Sequence, residues 1–153
     1  MQRRHFIKLL AGVGAVMMGG LELLLRPLSA MADRNKPAFS ANNLEEAVQQ
    51  LFAGEPITPS DAIDIGVHDL VENGAVVPVK INSSLPDVDR ISIFVEKNPN
   101  PLIAQFKLNP RCEAFVATRI KMQFPSDLMA VVRSGGKLYK ATKFVEVVEG
   151  GCG

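Results

Sequence analysis

Val77-Pro78-Val79-Lys80-Ile81-Asn82 alternates apolar and polar side chains with a period of two, directly after the turn signal Glu72-Asn73-Gly74. Successive side chains of a strand point to opposite faces, so this run predicts a strand with Val77, Val79 and Ile81 inward. The same period recurs downstream. Ile91, Ile93 and Val95 alternate with Ser92 and Glu96, and Ala104, Phe106 and Leu108 follow the turn Asn98-Pro99-Asn100-Pro101, with Gln105 and Lys107 outward. Val116, Thr118, Ile120 and Met122 alternate with Ala117, Arg119 and Lys121. Leu128 to Val132 and Lys137 to Val148 flank Ser134-Gly135-Gly136, a tight hairpin turn. Short strands at this spacing, from Ile63 onward, predict an all-β fold: an immunoglobulin-like antiparallel β-sandwich, in the broad sense only. The chain has no Trp and two distant cysteines, so antibody-type markers are missing.

One N-terminal helix precedes the strands. Asn42 and Asn43 are good N-caps, with Glu45 or Glu46 three residues on in capping-box fashion. Leu44, Val48, Leu51 and Phe52 fall on one helical face, and Gly54 and Pro56 stop the helix. A helix of this kind is expected to cover an end of the core.

The N-terminus reads as an export signal. Gln2-Arg3-Arg4-His5-Phe6-Ile7-Lys8 is basic, and Leu9 to Leu25 is apolar apart from Glu22. Ala30-Met31-Ala32 then supplies the small-x-small pattern of a signal-peptidase site, with Leu28-Ser29-Ala30 as the other choice. Arg3 and Arg4 followed by x-Phe6-Ile7-Lys8 resemble the twin-arginine motif, which exports folded proteins through the twin-arginine translocase. An ordinary secretory signal is the alternative. An uncleaved anchor fits less well, because the apolar run is short for a span and carries Glu22 and several glycines. Residues 1–32 are therefore expected to be a signal peptide, 33–149 a single sandwich domain and 150–153 a separate tail, with the mature protein in the periplasm and no stable membrane anchor. The chain has 17 Lys+Arg and 16 Asp+Glu; four of those basic residues and one acid lie in the leader, so the mature part is slightly acidic. No basic patch or tail remains to suggest nucleic acid.

The tail is Gly150-Gly151-Cys152-Gly153. Glycine lacks Cβ and reaches backbone angles closed to other residues, so this segment reads as a flexible arm that presents a thiol. Activating a thiol needs a nearby cation, a helix N-terminus or a metal. The sequence neighbours Glu146, Glu149 and the terminal carboxylate disfavour the thiolate instead. Cys152 thus makes a weak autonomous nucleophile and a better attachment point, whose reactivity comes from the enzymes it visits. The reading is a carrier and not an enzyme, with no catalytic residue of its own.

The remaining chemistry-bearing residues give little. His68 and Cys112 could join Cys152 on a soft metal, but no paired ligand spacing supports this. Met122 and Met129 read as core filler, and Asp61, Asp64 and Asp69 lack the glycine and glutamate spacing of a calcium loop. No metal site is expected. Two rival readings stay open: a secreted module held by a Cys112–Cys152 disulfide, which the periplasm would favour, and a thiol metal site.

The twin-arginine leader, Glu72-Asn73-Gly74-Ala75-Val76-Val77-Pro78-Val79, Thr118-Arg119-Ile120-Lys121-Met122 and the terminal Gly-Gly-Cys-Gly together resemble the SoxY family, the sulfur-carrier subunits of the periplasmic Sox thiosulfate-oxidising system. The resemblance covers nearly the whole mature chain. It implies covalent attachment of sulfur intermediates to Cys152, with no other cofactor. It also implies a heterodimer with SoxZ, a second β-sandwich subunit carried out with it. Three enzymes are implied as visitors: a c-type cytochrome that conjugates thiosulfate, a hydrolase that releases sulfate, and a sulfane dehydrogenase. Two departures stand out. The family tail usually ends Gly-Gly-Cys-Gly-Gly, one glycine longer, and Cys112 is not part of the family motif.

Overall fold

The computed structural model describes residues 35–109 and 111–148. Two short helices come first. In α1 (Lys36–Ser40) the Asn35 side chain caps by accepting from the Ala38 amide at 3.2 Å, and Pro37 sits in the first turn. In α2 (Leu44–Phe52) the Asn43 side chain accepts from the Glu46 amide at 2.8 Å, while Glu46 accepts from the Asn42 amide at 3.1 Å. These two bonds satisfy amides that a helix start leaves without partners. Ala53, at φ 51°, turns the chain out of α2 in left-handed conformation.

The strands are β1 (Ile57–Pro59), β2 (Ile63–Gly66), β3 (Leu70–Val71), β4 (Val77–Ser83), β5 (Val88–Val95), β6 (Leu102–Lys107), β7 (Phe115–Ile120), β8 (Ser126–Ser134) and β9 (Lys137–Val147). They form two sheets. The larger runs β1-β9-β8-β5-β6, with β3 also paired to β9, and the smaller runs β2-β4-β7. All-β architecture in two layers is therefore the observed fold, as the period-two runs predict. The pairing departs from pure antiparallel in two places, since β1 and β3 both lie parallel to β9. Each parallel partner is two or three residues long, too short to register as alternation in a sequence.

Between the sheets lies the main core. Ile63 and Ile65, Val77, Val79 and Ile81, Val116 and Ile120 face it from the small sheet. Ile91, Ile93 and Val95, Leu128, Ala130 and Val132, Val145 and Val147 face it from the large one. Hydrophobic burial at roughly 25 cal/mol per Å² drives this layer, and the inward set is that expected from the alternation. On β6 the alternation breaks. Ile93 pairs with Ala104 but Phe94 pairs with Leu102, so Ile103 is an extra residue and both Ile103 and Phe106 reach the core.

A second core lies on the other face of the large sheet. Phe94, Leu102, Met129, Val131 and Leu138 pack there beneath Ala38, Ala41, Ala47 and Phe52 of the helical segment. Phe52 and Phe94 meet at a ring-centroid distance of 6.2 Å, tilted by 53°. The helices therefore cover a face of the large sheet, not an end of the sandwich. The reason lies in the outer sets of β5 and β8, where Phe94, Met129 and Val131 put an apolar patch on the face away from the main core. The hairpin between β8 and β9 turns through Gly135 and Gly136 at φ 53° and 77°, with Ser134 paired to Lys137.

Candidate functional site

β9 carries the chain toward the predicted arm. Its last residues are held on both sides. Val145 pairs with Ser126 of β8, while Glu146 and Val147 pair with Leu70 and Val71 of β3. The Glu146 amide donates to the Asp69 carbonyl at 2.7 Å, and the Val148 amide donates to the Val71 carbonyl at 2.9 Å. β9 is thus hydrogen-bonded up to the last described residue, four positions before Cys152. At roughly 3.3–3.6 Å per extended residue, Cys152 has its Cα within about 14 Å of Val148.

The turn before β4 packs against this base. A Cβ built on Gly74 would stand 2.2 Å from the Met122 carbonyl oxygen and 2.8 Å from Cγ1 of Val147. Only glycine fits there. The same close approach lets the Met122 amide donate to the Gly74 carbonyl at 2.8 Å. Asn73 shapes the turn by accepting from the Ala75 amide at 2.9 Å. Asn98 ties the neighbouring loops together: its amide group donates to the Lys121 carbonyl at 2.7 Å, and its oxygen accepts from the Gln123 amide at 3.1 Å.

The charge at the base is balanced locally. Lys143 Nζ lies 2.9 Å from Asp69 Oδ1 and donates to the Val67 carbonyl at 2.8 Å. The hydrogen bond and the charge of Lys143 hold the Asp69 carboxyl below its ordinary value, with His68 adding to the same effect. Asp69 is fully exposed, so this pair orders the β2–β3 connection more than it stabilises the domain.

Around the base the surface is apolar. Leu70, Phe144 and Val148 are each roughly half exposed, and the pairing register sets all three on one face with Glu146 between them. Val76 and Phe124, also about half exposed, flank the Gly74–Met122 contact on adjoining loops.

Cys152, its flanking Gly150, Gly151 and Gly153, the export residues Arg3, Arg4 and Phe6 and the cleavage residues Ala30 and Ala32 all lie outside the described residues. Cys112 is described. It is a free, exposed thiol in the loop before β7, next to Ser83, Ser84 and Asp87. β7 runs from that loop to the Met122 side, where the base of the arm lies, and its six residues alone span roughly 17 Å. Cys112 thus lies beyond the opposite end of β7 from Val148, the last described residue before the tail. His68 lies on the arm's side, near Asp69, and so is not brought to Cys112. Among the described residues no three His, Cys, Asp or Glu side chains gather as a metal site, and no helix is long and apolar enough to cross a membrane.

Comparison with known proteins gives a consistent picture. The family model described as sulfur oxidation protein SoxY matches residues 48–152. Among solved structures, the sulfur carrier protein SoxY from Chlorobium limicola f thiosulfatophilum is 40% identical, with a TM-score of 0.64 over 71% of this chain and 99% of that one. The superoxide reductase (neelaredoxin) from Ignicoccus hospitalis is 15% identical, with a TM-score of 0.54 over 60% of this chain and 95% of that one, a likeness of fold alone. No curated protein matches the chain.

Proposed function

This chain belongs to the SoxY family, and we propose that it carries sulfur intermediates covalently on Cys152 as a non-enzymatic shuttle. A sulfur-carrier role in sulfur oxidation follows from that membership. The observation that supports the arm as the site is the anchoring of β9. Pairing to β8 runs to Val145 and hydrogen bonds to the β3 segment run on to Val148, and in sequence the thiol follows four residues later in a glycine-rich stretch. A fixed base with a short tip lets the body dock outside a partner's cleft while the thiol enters it.

The covalent cycle is simple to balance. The Cys152 thiolate and the outer sulfur of thiosulfate join as Cys–S–S–SO₃⁻, and the electron pair released passes to a c-type cytochrome enzyme. Water then cleaves the bond to the sulfonate sulfur through a hydrolase, giving sulfate, protons and a persulfide on Cys152. A sulfane dehydrogenase oxidises that remaining sulfur to Cys–S–SO₃⁻ with oxygen from water and passes the electrons to a cytochrome acceptor; hydrolysis then releases a second sulfate with protons and restores the Cys152 thiol. The chain's own part is to hold, present and release.

Residues 1–32, with Arg3, Arg4 and Phe6 as the twin-arginine motif, would export the folded protein to the periplasm, with cleavage after Ala32. The half-exposed Leu70, Phe144 and Val148 support contact with a second subunit of the SoxZ type, since apolar surface gathered in one place marks an interaction site. Mass spectrometry of non-reduced protein from cells growing on thiosulfate tests the central reading. Reducible thiosulfonate or persulfide adducts on the Cys152 peptide are expected. Unmodified Cys152, with no adduct during active thiosulfate oxidation, overturns it.

A further inference from the structure

The outer face of the small sheet holds a cationic groove that the fold itself does not use. Its floor is the paired β4 and β7, with Pro78 opposite Arg119 and Lys80 opposite Ala117. The alternate residues Val77, Val79, Val116 and Ile120 point into the core, so Lys80 and Arg119 are obliged to point out. They sit diagonally across the strand pair, on one face. Like charges so placed repel unless an anion lies between or beside them. Asp64, opposite Asn82, is the carboxylate diagonal to Lys80 on this face, yet among the described residues the ion pairs involve neither Lys80 nor Arg119. His68 and Val67 close one wall. On the third strand Gly66 stands opposite Lys80, and a Cβ there would come within 3.3 Å of the lysine Cβ. The absence of a side chain keeps the space beside Lys80 open.

The groove is close to the arm by chain connectivity. Val148 is hydrogen-bonded to Val71, three residues after His68. Three residues span at most roughly 11 Å, and the arm to Cys152 spans about 14 Å, with the cargo adding further length. A loaded thiol therefore reaches the wall formed by Val67 and His68.

We infer that this groove binds a sulfonate-type sulfur oxyanion on Lys80 and Arg119, supplied as the end of the loaded arm or as free thiosulfate. The inference rests on the carrier reading above for the chemistry of its ligand. Two surface cations bind a free dianion weakly, but a tether of a few residues gives an effective concentration on the order of millimolar. The loaded arm is the ligand the geometry favours. Parking there shields the thiosulfonate from stray thiols between visits to enzymes, and the weak grip releases it to a deeper site.

The test uses the full mature chain with Cys112→Ser, so that only Cys152 reacts. Tetrathionate loads it chemically: the thiolate attacks a central sulfur, Cys–S–S–SO₃⁻ forms and thiosulfate leaves. Intact mass confirms the adduct. Nuclear magnetic resonance then follows Lys80, Thr118 and Arg119 in the thiol form, in the loaded form, and in the thiol form titrated with thiosulfate against chloride of equal ionic strength. Shifts at these residues on loading, lost in Lys80→Ala/Arg119→Ala with core signals intact, establish the arm as ligand. Shifts with thiosulfate alone, at roughly millimolar concentration, establish the site for the free oxyanion. Silence in both samples, or equal shifts with chloride, overturns the inference. Failure of the carrier reading is separately visible, as absence of enzyme-driven adducts on Cys152 in cells.

Discussion

Gly74 and Val147 meet so closely that a single added carbon on Gly74 would fall 2.8 Å from the valine Cγ1 and closer still to the Met122 carbonyl. The turn before β4 and the last strand are thereby locked together at the base of the arm. Gly74→Ala has no low-cost solution, because the Met122 oxygen belongs to backbone that is itself hydrogen-bonded to Gly74. Overpacking of this kind costs about 1–3 kcal/mol, and chemical denaturation of the variant is expected to show a loss in that range. An unchanged midpoint would mean that the two segments part without cost.

Asn98 is buried and bonds two backbone groups of the β7–β8 connection. Removing its side chain leaves a carbonyl and an amide without their partners. Asn98→Ala is expected to lower stability by about 1–3 kcal/mol, and Asn98→Asp to fare no better, since a carboxylate faces the Lys121 carbonyl. Thermal unfolding measures both.

Cys112 lies exposed at the opposite end of the sandwich from the arm's base. Cys112→Ser is therefore expected to stay within about 0.5 kcal/mol of the parent stability and to load thiosulfate at Cys152 as before. Cys152→Ser is expected to abolish loading with the fold unchanged. A loss of stability on Cys152→Ser, matched by Cys112→Ser, would show the two joined as a disulfide.

Lys143 depresses the Asp69 carboxyl through a hydrogen bond and its charge. A group whose folded value lies below its unfolded one contributes stability above the unfolded value, and that contribution fades as pH falls through the folded value. Lys143→Met is expected to return Asp69 toward the ordinary carboxylate range in an acid titration followed by nuclear magnetic resonance. Because Asp69 is exposed, the change in global stability should be small. Faster amide exchange at Glu146, which bonds the Asp69 carbonyl, is the local sign to look for.

Much of the fold was legible because burial writes itself into alternation. Val77, Val79 and Ile81 face inward as their spacing demands, and the Asn43 cap forms as its side chain dictates. The hidden parts have physical reasons. β3 is two residues of an otherwise irregular connection, and its pairing to β9 depends on partners some 75 positions away. The bulge at Ile103 exists only in relation to β5. α1 is five residues long and carries a single cap, with no periodicity to read. At the arm's base, Asn73-Gly74 signals a turn, but the need for glycine comes from Val147 and Met122, which no local pattern reveals. The Lys143–Asp69 pair is equally long-range.

The helical layer has a consequence for how the molecule meets others. Phe52, Ala38 and Ala47 already occupy one broad face of the large sheet, with Phe94 beneath them. Phe94→Ala would cost about 3–5 kcal/mol, so that face is not given up to a visitor. What is left for recognition is one-sided: the outer face of the small sheet and the end of the sandwich where β9 finishes. The partner enzymes proposed above would therefore meet the same aspect of the molecule. Proteins that dock on this one aspect exclude one another.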